Sequence, residues 1–186
     1  MPTKPAALVL ACAAALCAAV AAPAVAAPDL SGTWTLVPKA SSDVREQIAA
    51  SLGSGYTQGD VKKDSPRVWI RDYLIAQSEK PAEAWVLTIE QSASEFKTGV
   101  GDEVRIYYFG RATTRQGPGG GLRKATVRWE GERAVVEERA EKGSGHIVET
   151  YELAPDGRNL KVIWRLEHKS MRQPLELTLA FQKTAP

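Results

Sequence analysis

The sequence predicts an all-β domain, an antiparallel meander of about 8–10 strands closing into a barrel, with one short helix after the first strand. Three observations predict it. Apolar and polar residues alternate with a period of two through most of the chain beyond Trp85. Short turn sequences separate the alternating runs. The last strands each carry one apolar and one polar face, the pattern of a sheet with water on one side only.

The elements follow in order. Leu30-Ser31-Gly32-Thr33-Trp34-Thr35-Leu36 reads as a first strand, approached through a glycine. Ser42 to Leu52 reads as a helix: Ser42 suits a cap, Glu46 lies near the first turn, and Val44, Ile48 and Leu52 recur at helical spacing. Gly53, Gly55 and Gly59 end it. Val68 to Ile75 fits no single element, and Ser78 to Ala84 reads as a turn or loop centred on Pro81. Trp85 to Ile89 alternates cleanly, with Trp85, Leu87 and Ile89 on one face. Val104 to Phe109 is the next apolar and aromatic run, and Tyr107 and Tyr108 must face opposite ways. Ala125 to Trp129, Arg133 to Arg139, His146 to Leu153, Asn159 to Leu166 and Leu175 to Phe181 then follow at regular spacing.

Turns join these runs. Thr98-Gly99-Val100-Gly101-Asp102, Glu130-Gly131-Glu132 and Lys142-Gly143-Ser144-Gly145 are short and glycine-bearing. Pro155-Asp156-Gly157 is the strongest, because Asp-Gly supplies the positive φ of hairpin turns. Strands so joined are antiparallel. Leu160, Val162, Trp164 and Leu166 share one face, as do Leu175, Leu177, Leu179 and Phe181. Closure would remove the unpaired edges. Alternation alone leaves a sandwich open as the other architecture.

The first 26 residues read differently. Lys4 precedes an alanine-rich apolar run from Ala6 to Ala22, and Ala24-Val25-Ala26 is a small-x-small pattern. This is the signature of a secretory signal peptide spanning residues 1–26, with the barrel domain at 27–186. The expected location is the periplasm or the exterior, with no membrane insertion after cleavage. An anchoring helix is the alternative, though Pro23 and Pro28 interrupt the run. Lipid attachment at Cys12 or Cys17 is another. The chain's 2 cysteines both lie in this leader, so a mature domain would have no disulfide, thiolate nucleophile or cysteine metal ligand. A net charge of +2 gives no electrostatic case for nucleic acid as a partner.

Leu30-Ser31-Gly32-Thr33-Trp34, with Leu36 and Pro38-Lys39-Ala40-Ser41, resembles the opening of a large group of exported bacterial lipocalin-like proteins of uncharacterised function. Leu87-Thr88-Ile89-Glu90-Gln91 and Glu149 to Leu160 look like strand segments of that group. Gly32-x-Trp34 also matches the first-strand pattern of true lipocalins. The resemblance implies a lipocalin-like barrel in which Gly32 begins the first strand and Trp34 packs across the closed end, both in structural roles. It also implies binding of a small apolar molecule in the barrel, or a carrier or inhibitor role, although the bacterial group has no established common activity.

The polar residues suggest no reaction. His146 and His168 read as surface or rim residues, since zinc needs three or four ligands and no ligand spacing is present. Ser31 and Ser41 do not sit in a nucleophile elbow. Glu137 and Glu138 point to opposite faces of a strand and read as solvated. Gly117 to Gly121 lacks the ending of a phosphate loop, and Arg111, Arg115, Arg123, Lys124 and Arg128 around it read as a solvated polar face. No enzyme activity, metal or cofactor is expected. The aromatic residues carry the remaining interest. Trp85, Trp129, Tyr151 and Trp164 either line a pocket for a small apolar ligand or fill the core of a structural or protein-interaction domain. A pocket calls for a cavity of about 300 Å³ or more.

Overall fold

A computed structural model describes residues 27–52, 85–101, 103–116 and 121–184. The expected leader (1–26), the glycines beyond the helix, the run 68–75, the loop around Pro81 and the glycines at 117, 119 and 120 lie outside the described residues.

The described elements are β1 (Gly32–Leu36), a 3-10 turn (Pro38–Ala40), α1 (Val44–Leu52), β2 (Val86–Gln91), β3 (Glu95–Val100), β4 (Glu103–Tyr108) and β5 (Thr113–Gln116). They continue as β6 (Leu122–Glu130), β7 (Arg133–Ala140), β8 (His146–Leu153), β9 (Asn159–Glu167) and β10 (Leu175–Lys183). All ten strands form one sheet in the order β4-β3-β2-β1-β10-β9-β8-β7-β6-β5. Each pairing is antiparallel. The sheet curls so that its inward side chains form one continuous core. The architecture is a barrel rather than a sandwich.

Closure happens in two ways. Next to the chain's start, β1 joins β2 and β10 through backbone ladders, with Leu36 opposite Phe181 and Trp34 opposite Leu87. On the other side, β4 and β5 are the two ends of the sheet and share no ladder. A parallel bridge between Phe109 and Val127 crosses there, and Phe109 stacks on Trp129 at 5.7 Å. We call this gap in the ladder the seam.

Alternation places the core as the pattern predicts. Leu160, Val162, Trp164 and Leu166 of β9 and Leu175, Leu177, Leu179 and Phe181 of β10 are all buried. Asp156 shapes the β8–β9 turn by accepting the Arg158 and Asn159 N–H groups through Oδ1, and Gly157 takes the required positive φ of 66°.

Several expectations are corrected. Two strands went unseen: β3, whose outward positions are Glu95 and Lys97, and β5, which is Thr-Thr-Arg-Gln. Thr98-Gly99-Val100 lies within β3 rather than in a turn. The turn before β3 is built by Ser92, whose Oγ accepts from the N–H groups of Ser94 and Glu95. The helix cap is Asp43, whose Oδ1 accepts the Glu46 N–H at 3.0 Å. Ser42 instead accepts the Thr178 N–H, and Ser41 the Ala180 N–H, which pins the start of α1 to β10.

Candidate interior site

The barrel interior contains one apolar region and one charged region. The apolar region is a cavity of about 70 Å³. Its lining includes the apolar Trp85, Leu87, Val162, Trp164, Leu179 and Phe181 and the polar Thr98, Arg105, Glu149 and Tyr151. Trp85, Tyr151 and Trp164 therefore come together around one space, as the alternation of β2, β8 and β9 dictates. Trp129 does not join them. It is only partly buried and packs near the seam against Phe109.

Gly32 begins β1, and Trp34 lies on the same strand. Trp34 is fully buried and its Nε1–H donates to the Leu30 carbonyl at 3.1 Å. Lys183 lies over its ring at 5.2 Å. Gly32 has a φ of 147°, and a Cβ there would stand 2.6 Å from the Lys183 Cε. Backbone conformation and close approach together favour glycine at this position.

The charged region lies against the seam. Glu138 of β7 points inward and is fully buried. Arg115 of β5 grips it with two parallel hydrogen bonds, Nε to Oε1 at 2.9 Å and Nη2 to Oε2 at 2.8 Å. Tyr107 of β4 donates its hydroxyl to Oε1 at 2.9 Å, and Arg123 Nη1 stands 4.0 Å from Oε2. Glu149 of β8 is the second buried carboxylate. It accepts from Arg105 Nη1 at 3.3 Å and from the Tyr151 hydroxyl. Arg105 also donates Nε to Glu103 at 2.9 Å. Burial pushes the Glu149 carboxyl above its ordinary range; Arg105 and Tyr151 oppose the rise, and nearby Glu138 adds to it.

These contacts overturn the solvated reading of Glu138, Arg115 and Arg123. Arg123 is 3 % exposed, and Arg115 is half-sheltered against Glu138. Inward polarity was nevertheless encoded in strand parity. Ala125 and Val127 face inward on β6, so Arg123 must as well; Ala134 and Val136 on β7 fix Glu138; Ile147 and Tyr151 on β8 fix Glu149. Arg105 follows from Tyr107 in the same way.

The histidines also divide. His168 is buried, and its Nδ1 accepts the Ser170 N–H. His146 lies on the outer face, with Nε2 3.0 Å from Glu137 and Nδ1 3.6 Å from Glu167. Among the described residues no group of three or more His, Cys, Asp or Glu side chains is placed to hold a metal, and no helix is long and apolar enough to cross a membrane.

No family model matches the chain, and no curated protein matches it. Solved structures do. A protein described as the REP1-NXSQ fatty acid transporter aligns with 15 % identity and a TM-score of 0.52, over 84 % of this chain and 97 % of that one. Apo lipid binding protein 8 of Caenorhabditis elegans aligns at 15 % identity and 0.53, over 83 % and 94 %. Human cRBP IV aligns at 20 % and 0.51, over 84 % and 99 %. The fold is a lipocalin-like barrel. At these identities the likeness carries the fold alone. Inside this barrel, carboxylates pair with guanidinium groups.

Proposed function

We propose that this lipocalin-like barrel is an exported carrier that binds a small, mainly apolar molecule in its interior. The observation that supports the reading most is the cavity itself. Trp85, Leu87, Val162, Trp164, Leu179 and Phe181 give it apolar walls, and the few polar groups in its lining include Arg105, Glu149 and Tyr151, which are joined by hydrogen bonds. Few, convergent polar groups in an apolar recess are the usual make-up of a small-molecule site. The structural neighbours described as a fatty acid transporter and a lipid binding protein support the same class of cargo. The leader-like first 26 residues support export.

One observation favours a second reading. The cavity of about 70 Å³ is far below the roughly 300–1,000 Å³ of ordinary ligand sites. It holds a few waters or a short portion of a ligand. On the second reading the barrel is filled and its working surface is outside. A native mass spectrum of the protein purified from the compartment to which it is exported separates the two. A discrete adduct lost on denaturation is the expected result. A bare mass, together with no uptake of added short-chain alcohols or acids, favours the filled barrel.

A further inference from the structure

We infer that the interior site selects a neutral ligand bearing a hydroxyl group and rejects the matching carboxylate. This rests on the proposal that the cavity binds a ligand and names the chemistry of its polar lining. The residues there are Thr98, Arg105, Glu149 and Tyr151.

Charge is the first reason. Arg105 is the guanidinium that lines the cavity, and it already donates to two carboxylates, Glu149 at 3.3 Å and Glu103 at 2.9 Å. A ligand carboxylate entering here would meet Glu149 in a space where like charges are poorly screened. To reach Arg105 it would have to displace Glu149 and leave that carboxylate buried without its partner, which is strongly unfavourable. A ligand cation would meet Arg105 instead, with Arg115 close enough to Glu149 to influence its ionisation. The two charged residues that line the cavity, Arg105 and Glu149, are paired with each other, so a ligand with no net charge disturbs neither.

Hydrogen-bonding capacity is the second reason. Each oxygen of Glu149 accepts one of the contacts described, from Arg105 or from Tyr151. A carboxylate oxygen has two lone-pair sites, so capacity remains for an incoming O–H. Thr98 lines the same cavity, is 3 % exposed, and lies opposite Arg105 in the β3–β4 register. Its hydroxyl can donate to, or accept from, a ligand hydroxyl. A hydroxyl, both donor and acceptor, satisfies both partners, whereas a carboxylate offers no hydrogen to Glu149.

The test uses octanol, octanoate and octane as probes with the full-length mature protein at mildly alkaline pH, by isothermal titration calorimetry. Octanol should bind about tenfold or more tightly than either octanoate or octane. Glu149→Gln should raise octanoate affinity by about tenfold and erase the discrimination, because a neutral amide no longer repels the ligand carboxylate. Thr98→Val should weaken octanol and leave octane unchanged, and near-ultraviolet circular dichroism checks that both variants keep the native packing. Octanoate binding as well as octanol, or octane binding as well as octanol, overturns the inference while leaving a ligand site in place. Failure of all three probes to bind removes the ligand site itself, and the inference with it.

Discussion

The two sides of this barrel are closed by opposite chemistry. On the β1–β10–β9 side, backbone ladders run without a break and the side chains beneath them are Leu, Val, Trp and Phe. On the β4–β5 side the ladder is missing, and the interior behind it is held by Arg115, Tyr107 and Arg123 around Glu138 and by Arg105 and Tyr151 around Glu149. The first side is stabilised by area removed from water, which tolerates small errors in position. The second depends on directed contacts between ions that were costly to bury. A hydrophobic wall degrades gradually, whereas an ionic clasp is sensitive to the loss of any one member.

The largest expected effect breaks the clasp. Glu138→Ala should destabilise the fold by about 3–5 kcal/mol, since it strands Arg115 and Arg123 beside an apolar core. Urea unfolding measures it, and amide exchange should show the added opening concentrated in β4 and β5. Replacing the whole group, with Arg115→Met, Arg123→Met, Tyr107→Phe and Glu138→Leu together, should recover most of the loss. If the combined variant is as unstable as the single one, the ionic description of the seam is wrong. On the opposite wall, Leu177→Ala should cost about 2–5 kcal/mol through a cavity, with no dependence on pH between neutral and mildly acidic solution.

Acid provides a finer comparison. The Glu149 carboxyl is raised by burial, so the folded state holds its proton more tightly than the unfolded chain does. Between the ordinary value of 4.5 and the raised folded value, this group makes stability fall as pH rises and recover as pH falls. Glu167 behaves oppositely. Its hydrogen bond from Arg165 lowers its carboxyl, so its contribution is present above 4.5 and is lost as pH falls through the folded value. Glu137 follows Glu167: burial works to raise it, but Arg139, Arg128 and His146 prevail. Thermal melts across mildly acidic pH should therefore show Glu149→Gln flattening the upper part of the profile and leaving the steep acid limb intact. The smallest effect lies outside the barrel. Arg165 bridges Glu167 and Glu176 in the open, and Arg165→Ala should cost less than about 1 kcal/mol and less still in high salt.

The same division explains what could be read from the sequence. β8, β9 and β10 were legible because apolar parity and the Asp156-Gly157 turn agree. β5 was hidden because Thr-Thr-Arg-Gln has no apolar face to announce a strand. The charged interior was hidden for a different reason. Glu138 and Arg123 look like surface residues one at a time, and their partners lie on other strands, such as Arg115, 23 residues from Glu138. Only extending the apolar parity of each strand through its charged positions reveals them. Trp129 illustrates the converse, since a large aromatic residue that shares the parity of buried Ala125 and Val127 still packs near the seam rather than in the cavity.

The ladder between β1 and β10 also governs when the barrel can be completed. Thr35 and Thr184, whose hydroxyls meet at 3.0 Å, are 149 positions apart, whereas β6 through β9 each pair with the strand that follows. The meander can zip together locally, but β1 must wait for the final strand before its second edge is covered. A chain made or exported from its first residue onward therefore presents β1 with one bare edge for nearly the whole of its synthesis. During that interval, a helper protein that covers an exposed strand would have the most to offer it.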